Sequence, residues 1–334
     1  MSTQTIATPD SRDRLDFVSS IPFFLMHLAC LAAFFLPVRP IDIAVAVGLY
    51  VLRMWGITAG FHRYFSHRAY QTGRLFQFIL AWVGTMSAQK GVLWWAGNHR
   101  HHHRYSDQEE DIHSPLQRGF WWSHVGWILS KRYNETPYSS IRDFARFPEL
   151  VWLNRFHLVP PTLLGVALFF IGGWSMLVWG LFISTVALWH GTFTINSLSH
   201  VFGSRRYRTT DTSRNNGLLA LITLGEGWHN NHHYYQNTAN QGWFWWEVDL
   251  SYYSLWLLSK MGVVKKLRKP TPEVRDAYLK YDEAQRAQLR DEGRRLRRRP
   301  RASRRPSVPA TAAAAAAAAA ASLTKAPDAS QPTA

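Results

Sequence analysis

Three histidine clusters carry the chemistry this chain offers: His62 and His67; His99, His102 and His103; and His229, His232 and His233. On a helix, residues three and four apart share a face, so the second and third clusters each aim three imidazoles to one side. Asn196 and His200, four apart, make a further one-sided pair. Ten such side chains exceed the needs of one tetrahedral zinc and point to two metals. Imidazole suits iron, copper, nickel and zinc, so ligand type alone leaves the metal open. The Glu and Glu-x-x-His pattern of soluble di-iron bundles is not found near these clusters. Asp107, Glu109, Glu110, Asp111 and Glu226 are the nearby carboxylates available to hold the ligands' second ring nitrogens. His27, His157 and His190 sit singly in apolar surroundings and read as packing residues, while His113 and His124 read as loop or interfacial residues.

The elements that must position these clusters are membrane helices. Of 334 residues, 38 are Lys or Arg and 22 Asp or Glu, for a net charge of +16, and the mean hydropathy of −0.19 averages very apolar stretches with a polar tail. Residues 156–204 contain no Asp, Glu, Lys or Arg, enough for two crossings joined at Gly172-Gly173. Residues 17–38 make another uncharged run, and 41–61 a similar one that carries Asp42 and Arg53, giving four expected spans. Residues 75–89 are too short to cross, and a crossing there would put the His62 and His99 clusters on opposite faces; that run is expected in the interface or buried by protein. Twelve Lys and Arg between 62 and 155, and the basic stretch after Arg205, place the site and both termini in the cytoplasm by positive-inside reasoning. The sequon Asn134-Glu135-Thr136 then faces the cytoplasm and stays unmodified. Trp94, Trp95, Trp121, Trp122 and Trp127 fit either an interfacial belt or ordinary packing.

Two features exclude other classes. The single cysteine, Cys30, rules out a disulfide framework, a Cys-type zinc finger and a self-ligated iron–sulfur cluster. Eight Arg between 294 and 305, followed by the alanine run 312–321, read as a solvated low-complexity tail that touches anionic lipid, with no nucleic-acid motif beside it. The organisation expected is an N-terminal cytoplasmic segment 1–16, a membrane domain 17–267 and a basic tail 268–334.

The order H-x4-H, H-x2-H-H, N-x3-H, H-x2-H-H, with Gly56-Ile57-Thr58-Ala59-Gly60 and Gly225-Glu226-Gly227-Trp228 around it, resembles the integral-membrane delta-9 fatty acyl desaturases of the stearoyl-CoA type, in a bacterial-looking version. The resemblance covers roughly residues 17–264. It implies an all-α fold of four transmembrane helices with a cytoplasmic helical cap, holding two iron ions. It implies as ligands His62, His67, His99, His102, His103, His200, His229, His232 and His233, with Asn196 reaching one iron through water and His101 outside the set. It also implies O2 as co-substrate, Tyr50 and Met54 closing the acyl tunnel, and no division of the nine His between the irons.

Where the animal acyl-CoA enzymes of this family have Arg and Asp against the CoA head group, this chain has Gly97 and Asn98, so acyl-CoA and lipid-linked substrates both stay open. Arg100, Arg104, Lys131 and Arg132 are available to a phosphate. The chain carries no haem-binding module and no cysteine set for a ferredoxin, so a separate electron donor, ferredoxin or cytochrome b5-like, and its reductase must serve it. A lipid hydroxylase on the same scaffold is the alternative within the enzyme class. A membrane metal-binding or transport protein is the alternative outside it, and predicts ionisable residues along the spans rather than His gathered at one end.

Overall fold

A computed structural model describes residues 13–280 and Ala287. The chain divides into a unit Met1–Tyr278 and a second unit Leu279–Ala334. The Arg-rich and alanine runs, and most of the expected N-terminal segment, lie outside the described residues. Residues 268–275, which the sequence assigns to the tail, are tied to the first unit: the Arg268 amide donates to Ala69 O (3.0 Å), and the Tyr207 hydroxyl donates to Arg275 O (2.5 Å).

Helices form nearly all of the regular secondary structure among the described residues; the one pairing of strands there is antiparallel, β1 (Gln71–Thr72) on β2 (Val264–Lys265). Helix α1 (Phe17–Cys30) is capped by Asp16, whose carboxylate accepts from the Ser19 amide, and runs on into a 3₁₀ turn, Leu31–Phe35. Helix α2 (Pro40–Trp55) opens with Pro40 at its first position, where the missing N–H costs nothing, and with Asp42 holding the Arg39 amide (3.1 Å) and guanidinium (2.6 Å). It continues without a break into Gly56–Ser66, which is wound as a π-helix and wholly buried. Helix α3 (Arg74–Thr85) packs on that segment so closely that a Cβ on Gly56 would lie 2.6 Å from the Gly84 amide nitrogen. Its run of 75–89 buries Leu80 and Ala81 and leaves Leu75 exposed, so it lies along the protein with one face open.

Helix α4 (Val92–Tyr105) follows, then α5 (Pro148–Arg155), α6 (Val159–Leu177), a π-helical turn Val178–Ile183 and α7 (Ser184–Ser197). Among the described residues three stretches are long and apolar enough to cross a membrane: Phe17–Phe35, Pro40–Ser66 and Val159–His200, of 19, 27 and 42 residues. The third is interrupted at Gly173, which has φ +70°. Leu164 and Leu168 pack with Leu177, Leu181 and Phe182; in one straight helix residues 164 and 181 would stand about 25 Å apart, so the chain folds back at the Gly172-Gly173 pair. The apolar window of the first stretch is only 6% buried by protein, which leaves lipid to cover Phe24, Leu28, Phe34 and Phe35.

Beyond the spans, α8 (Gly217–Ile222), α9 (His229–Tyr234) and α10 (Leu250–Lys260) complete the body. The largest core joins the π-helix to α3, α4 and α5 through Phe61, Phe65, Leu80, Leu93, Leu150 and Leu153, all fully buried and each worth about 1.5–3 kcal/mol on burial. Asn154 locks α5 to the start of α4, its Oδ1 accepting from the Leu93 (3.1 Å) and Trp94 (2.9 Å) amides that the helix leaves free.

Candidate metal centre

The five-residue spacing of His62 and His67 would turn them about 140° apart on an α-helix. In the π-helix Gly56–Ser66, bonded i to i+5, the same spacing nearly completes a turn, and the two rings meet at 4.8 Å between centroids. The α4 and α9 clusters converge by ordinary α-helical periodicity, and a 3₁₀ turn after α7 delivers His200.

The structure brings all nine histidines together and sorts them. His62, His67, His99, His103 and His232 form one group; His102, His200, His229 and His233 form another, with the ligand atoms of each group within 4.8 Å of one another. Nε2 atoms face Nε2 atoms: His62 to His232 at 3.0 Å, His232 to His103 at 3.0 Å, His67 to His99 at 3.0 Å and His200 to His229 at 3.2 Å. Nitrogens bound at about 2.1 Å on perpendicular axes would lie about 3.0 Å apart, so both groups fit a metal ion. The Nε2 of His233, buried without a hydrogen-bond partner, is left for the second.

Carboxylates fix the tautomers. Asp111 holds His102 Nδ1 at 2.9 Å, Asp107 holds His200 Nδ1 at 3.0 Å and Asp211 holds His233 Nδ1 at 2.6 Å, while Glu226 holds His62 Nδ1. Each Nδ1–H donated outward leaves an Nε2 lone pair pointing inward. Glu226 also pairs with the fully buried Arg63 (3.0 Å), which bonds Asp249 at 2.8 Å. Gly225, at φ +126°, passes between them: a Cβ there would strike the Asp249 carboxylate and come within 2.8 Å of Arg63. That is the physical content of the Gly225-Glu226-Gly227-Trp228 motif.

Burial, with neighbouring imidazoles, pushes His67, His99, His103, His229 and His232 well below the usual 6.5, and His233 to about 4 despite Asp211. These rings therefore stay neutral, the form that binds metal. Burial opposes the charge on His102 too, but the Asp111 carboxylate outweighs it and raises that group. Asp107, Asp111 and Asp211 are held below the carboxylate range, their histidine hydrogen bonds overcoming burial.

A cavity of about 580 Å³, lined mainly by apolar side chains such as Phe23, Trp127, Trp189 and Phe193, reaches His99 and Asn196. Met54 lines a smaller adjoining cavity with His62, His99, Asn196 and His229; Tyr50 stands beside it on α2, its hydroxyl donating to Ile222 O at 2.7 Å. Gln89 bridges the wall, donating to Thr192 Oγ1 (3.0 Å) and accepting from Trp95 Nε1 (3.3 Å), and Trp95 stacks on His99.

Some expectations need correcting. Asp211 holds a ligand although nothing near it in sequence marks it, whereas Glu109 and Glu110 hold none of the nine; the Glu110 backbone carbonyl instead meets His101. Arg100 is not available to a phosphate: it is taken up by Asp143 and by the carbonyls of Phe65, Ser66 and Ser140. Trp94 and Trp127 are buried and stacked at 5.7 Å rather than interfacial. His27, His190 and His124 are hydrogen-bonded in series, at 3.1 and 3.0 Å.

A profile of the fatty acid desaturase family matches residues 41–248, a stretch that includes all nine histidines. The chain belongs to the fatty acid desaturase family. An sn-1 stearoyl-lipid 9-desaturase of Anabaena variabilis is 38% identical over 79% of this chain and 97% of its own length. A protein of the same description from Synechocystis sp. is 38% identical over 80% of this chain and 85% of its own. Delta-9 acyl-lipid desaturase 1 of Arabidopsis thaliana is 35% identical over 78% and 86%. This desaturase is thus an oxidoreductase acting on fatty acyl chains; the hydroxylase and metal-transport alternatives find no support in these relatives.

Two outcomes follow for the desaturase. Asp211→Asn keeps the shape of the side chain but removes the charge behind His233, so metal affinity in competition with a chelator is expected to fall about 10- to 100-fold, with the fold retained. Six of the nine rings have folded-state values depressed below 6.5, so the unfolded chain takes up protons that the fold refuses. Stability of the metal-free protein is therefore complete above about pH 6.5 and is lost as pH falls below it; thermal unfolding from about pH 7.5 to 5 reads this as a falling midpoint.

Proposed function

We propose that this desaturase inserts a cis double bond, at the delta-9 position, into a saturated acyl chain carried by a membrane lipid. The observation that carries this reading is an apolar cavity of about 580 Å³ that reaches His99 and is joined there by a smaller one lined by His62, His99 and His229, members of both imidazole groups. The five-histidine group would hold one iron and the four-histidine group the other, and Asn196, which lines the small cavity between His99 and His229, would reach one of them through water. Iron, when bound, activates O2, which accepts two electrons from the C–H bonds and two from a donor and leaves as two waters.

The protein's own part is placement and dryness. Phe23, Trp189 and Phe193 line the chain's path and exclude water, and the Thr192–Gln89–Trp95 bonds fix the wall beside His99. Tyr50 and Met54 close the far end. Burial keeps most of the imidazoles neutral, and the carboxylates aim four of them, so that ligand positions survive redox change.

A lipid carrier is favoured over CoA by Gly97 and Asn98. A Cβ on Gly97 would lie 2.8 Å from Pro137, leaving no room for a cationic side chain, and the Asn98 amide is spent on Trp94 O at 2.9 Å. The relatives' descriptions as acyl-lipid 9-desaturases support both carrier and position. The fold-back at Gly173 supports four crossings, and the twelve Lys and Arg between 62 and 155 support a cytoplasmic site and cytoplasmic termini. A ferredoxin or cytochrome b5-like donor and its reductase supply electrons from the basic cytoplasmic side.

The test is expression in a desaturase-deficient host, reading fatty acids by gas chromatography with double-bond localisation. New delta-9 monounsaturated chains in the lipid fraction, absent with His232→Ala, are expected. Hydroxylated chains, or the same profile with His232→Ala, would contradict the proposal.

A further inference from the structure

The loop between α3 and α4 holds the one lysine of the large cavity. Lys90 lines it together with Asn134 and His157, in a wall otherwise built largely of apolar side chains. Its ammonium donates to Asn134 Oδ1 at 2.9 Å and lies 4.4 Å from the Trp94 ring centre. Both partners are neutral, and among the described residues no carboxylate pairs with it. His157 faces the same cavity with its Nδ1 buried and unpartnered. Lys90 is half-buried and its bond to the exposed Asn134 lies at the cavity's open edge, so a partly desolvated cation there, without a counter-ion, is open to an arriving anion. Burial lowers this group to about 8, the price of keeping it there.

The backbone is bent to put it there. Ala88 (φ +55°) and Lys90 (φ +61°) both occupy the left-handed region, which non-glycine residues adopt only at a cost. Trp189 Nε1 donating to Ser87 O (2.8 Å) and Ser87 Oγ donating to Gly84 O (2.6 Å) hold the loop in this form. The outcome is that Gln89 reaches Thr192 and Trp95 near the histidines while Lys90 reaches Asn134.

We propose that Lys90, Asn134 and His157 form a head-group station that takes the phosphate of a glycerophospholipid whose acyl chain lies in the cavity. The proposal deepens the lipid-linked desaturase reading and rests on it for the identity of the chain. Distance selects the phosphate. From Val92 to His99 helix α4 rises about 10.5 Å, and Lys90 stands just before Val92. With C–C bonds of about 1.5 Å an extended chain advances about 1.25 Å per carbon, so the ester carbonyl and the ninth carbon are about 10 Å apart. A carbonyl level with Lys90 thus sets the ninth carbon beside His99, and the phosphate of a glycerophospholipid is only a glycerol away. The phosphates of acyl-CoA lie a whole pantetheine arm beyond the thioester, out of reach. A neutral glycolipid offers the cation no charge, and a free fatty acid offers its carboxylate but no second group for Asn134 and His157.

The test uses the whole chain, metal-loaded in nanodiscs, and measures binding by native mass spectrometry and turnover by gas chromatography. The probes are distearoyl-phosphatidylglycerol, monogalactosyldiacylglycerol with the same chains, and stearate. Wild-type protein is expected to prefer the phosphatidylglycerol over the galactolipid about tenfold or more. Lys90→Gln is expected to abolish that preference, Lys90→Arg to keep most of it, and His157→Gln to reduce it. No preference in the wild type, a preference untouched by Lys90→Gln, or stearate binding as well as the phospholipid would overturn the proposal. Because binding is read without chemistry, a protein that discriminates head groups but makes no double bond sinks the desaturation reading and leaves the station standing. An active enzyme blind to the head group does the reverse.

Discussion

Nine imidazoles are gathered here, seven of them with Nε2 atoms about three ångströms from a neighbour's, and they repel one another unless each presents a lone pair to a shared cation; much of the body is arranged around that constraint. Neutral rings are needed, so the cluster is buried where protonation is costly. Defined tautomers are needed, so Asp107, Asp111, Asp211 and Glu226 stand behind four of the rings. The two groups differ in this respect: three of the four carboxylates serve the four-histidine group, and only Glu226, shared with Arg63, serves the five-histidine group. The second group therefore carries the greater negative charge at its periphery.

Holding these carboxylates requires a second tier. Arg63 is fully buried and answers two acids, Glu226 and Asp249; Asp249 also caps α10 through the Tyr252 amide at 2.9 Å. Such a cluster adds little net stability over an apolar core, but losing one member leaves a buried charge unpaired, at about 3–5 kcal/mol. Asn231 repeats the logic without charge, bonding Gln241 O and the Glu247 carboxylate so that α9 cannot rotate its histidines away. The membrane-facing helices set the frame: α2 and the π-helix following it join the apolar region to the His62 ligand in one continuous element.

The α4 and α9 clusters were legible in the sequence because α-helical periodicity alone puts residues three and four apart on one face. The His62 and His67 pair was not legible in that way, because a five-residue spacing converges only in a π-helix and no residue pattern announced one. Closeness along the chain marked the two as a cluster, but the way their rings meet could not be read from it. Asp211 was missed because the contact joins residues 22 apart through a loop, where periodicity carries no information. Arg100 was misread because a charged residue next to a metal-binding cluster looks solvent-facing until Asp143 and the Ser140 carbonyl, from the segment before α5, and the Phe65 and Ser66 carbonyls, from the end of the π-helix, are brought to it. The division of nine ligands into five and four is a property of tertiary packing and could not be read from order along the chain.

Iron counted in the folded whole chain, loaded anaerobically and quantified by elemental analysis with Mössbauer spectroscopy of the same sample, bears most closely on this picture. Two irons per chain, in two spectroscopically distinct sites rich in nitrogen ligands, is the result predicted by groups of five and four histidines with unequal carboxylate backing. A single iron per chain, or two that cannot be told apart, would contradict it.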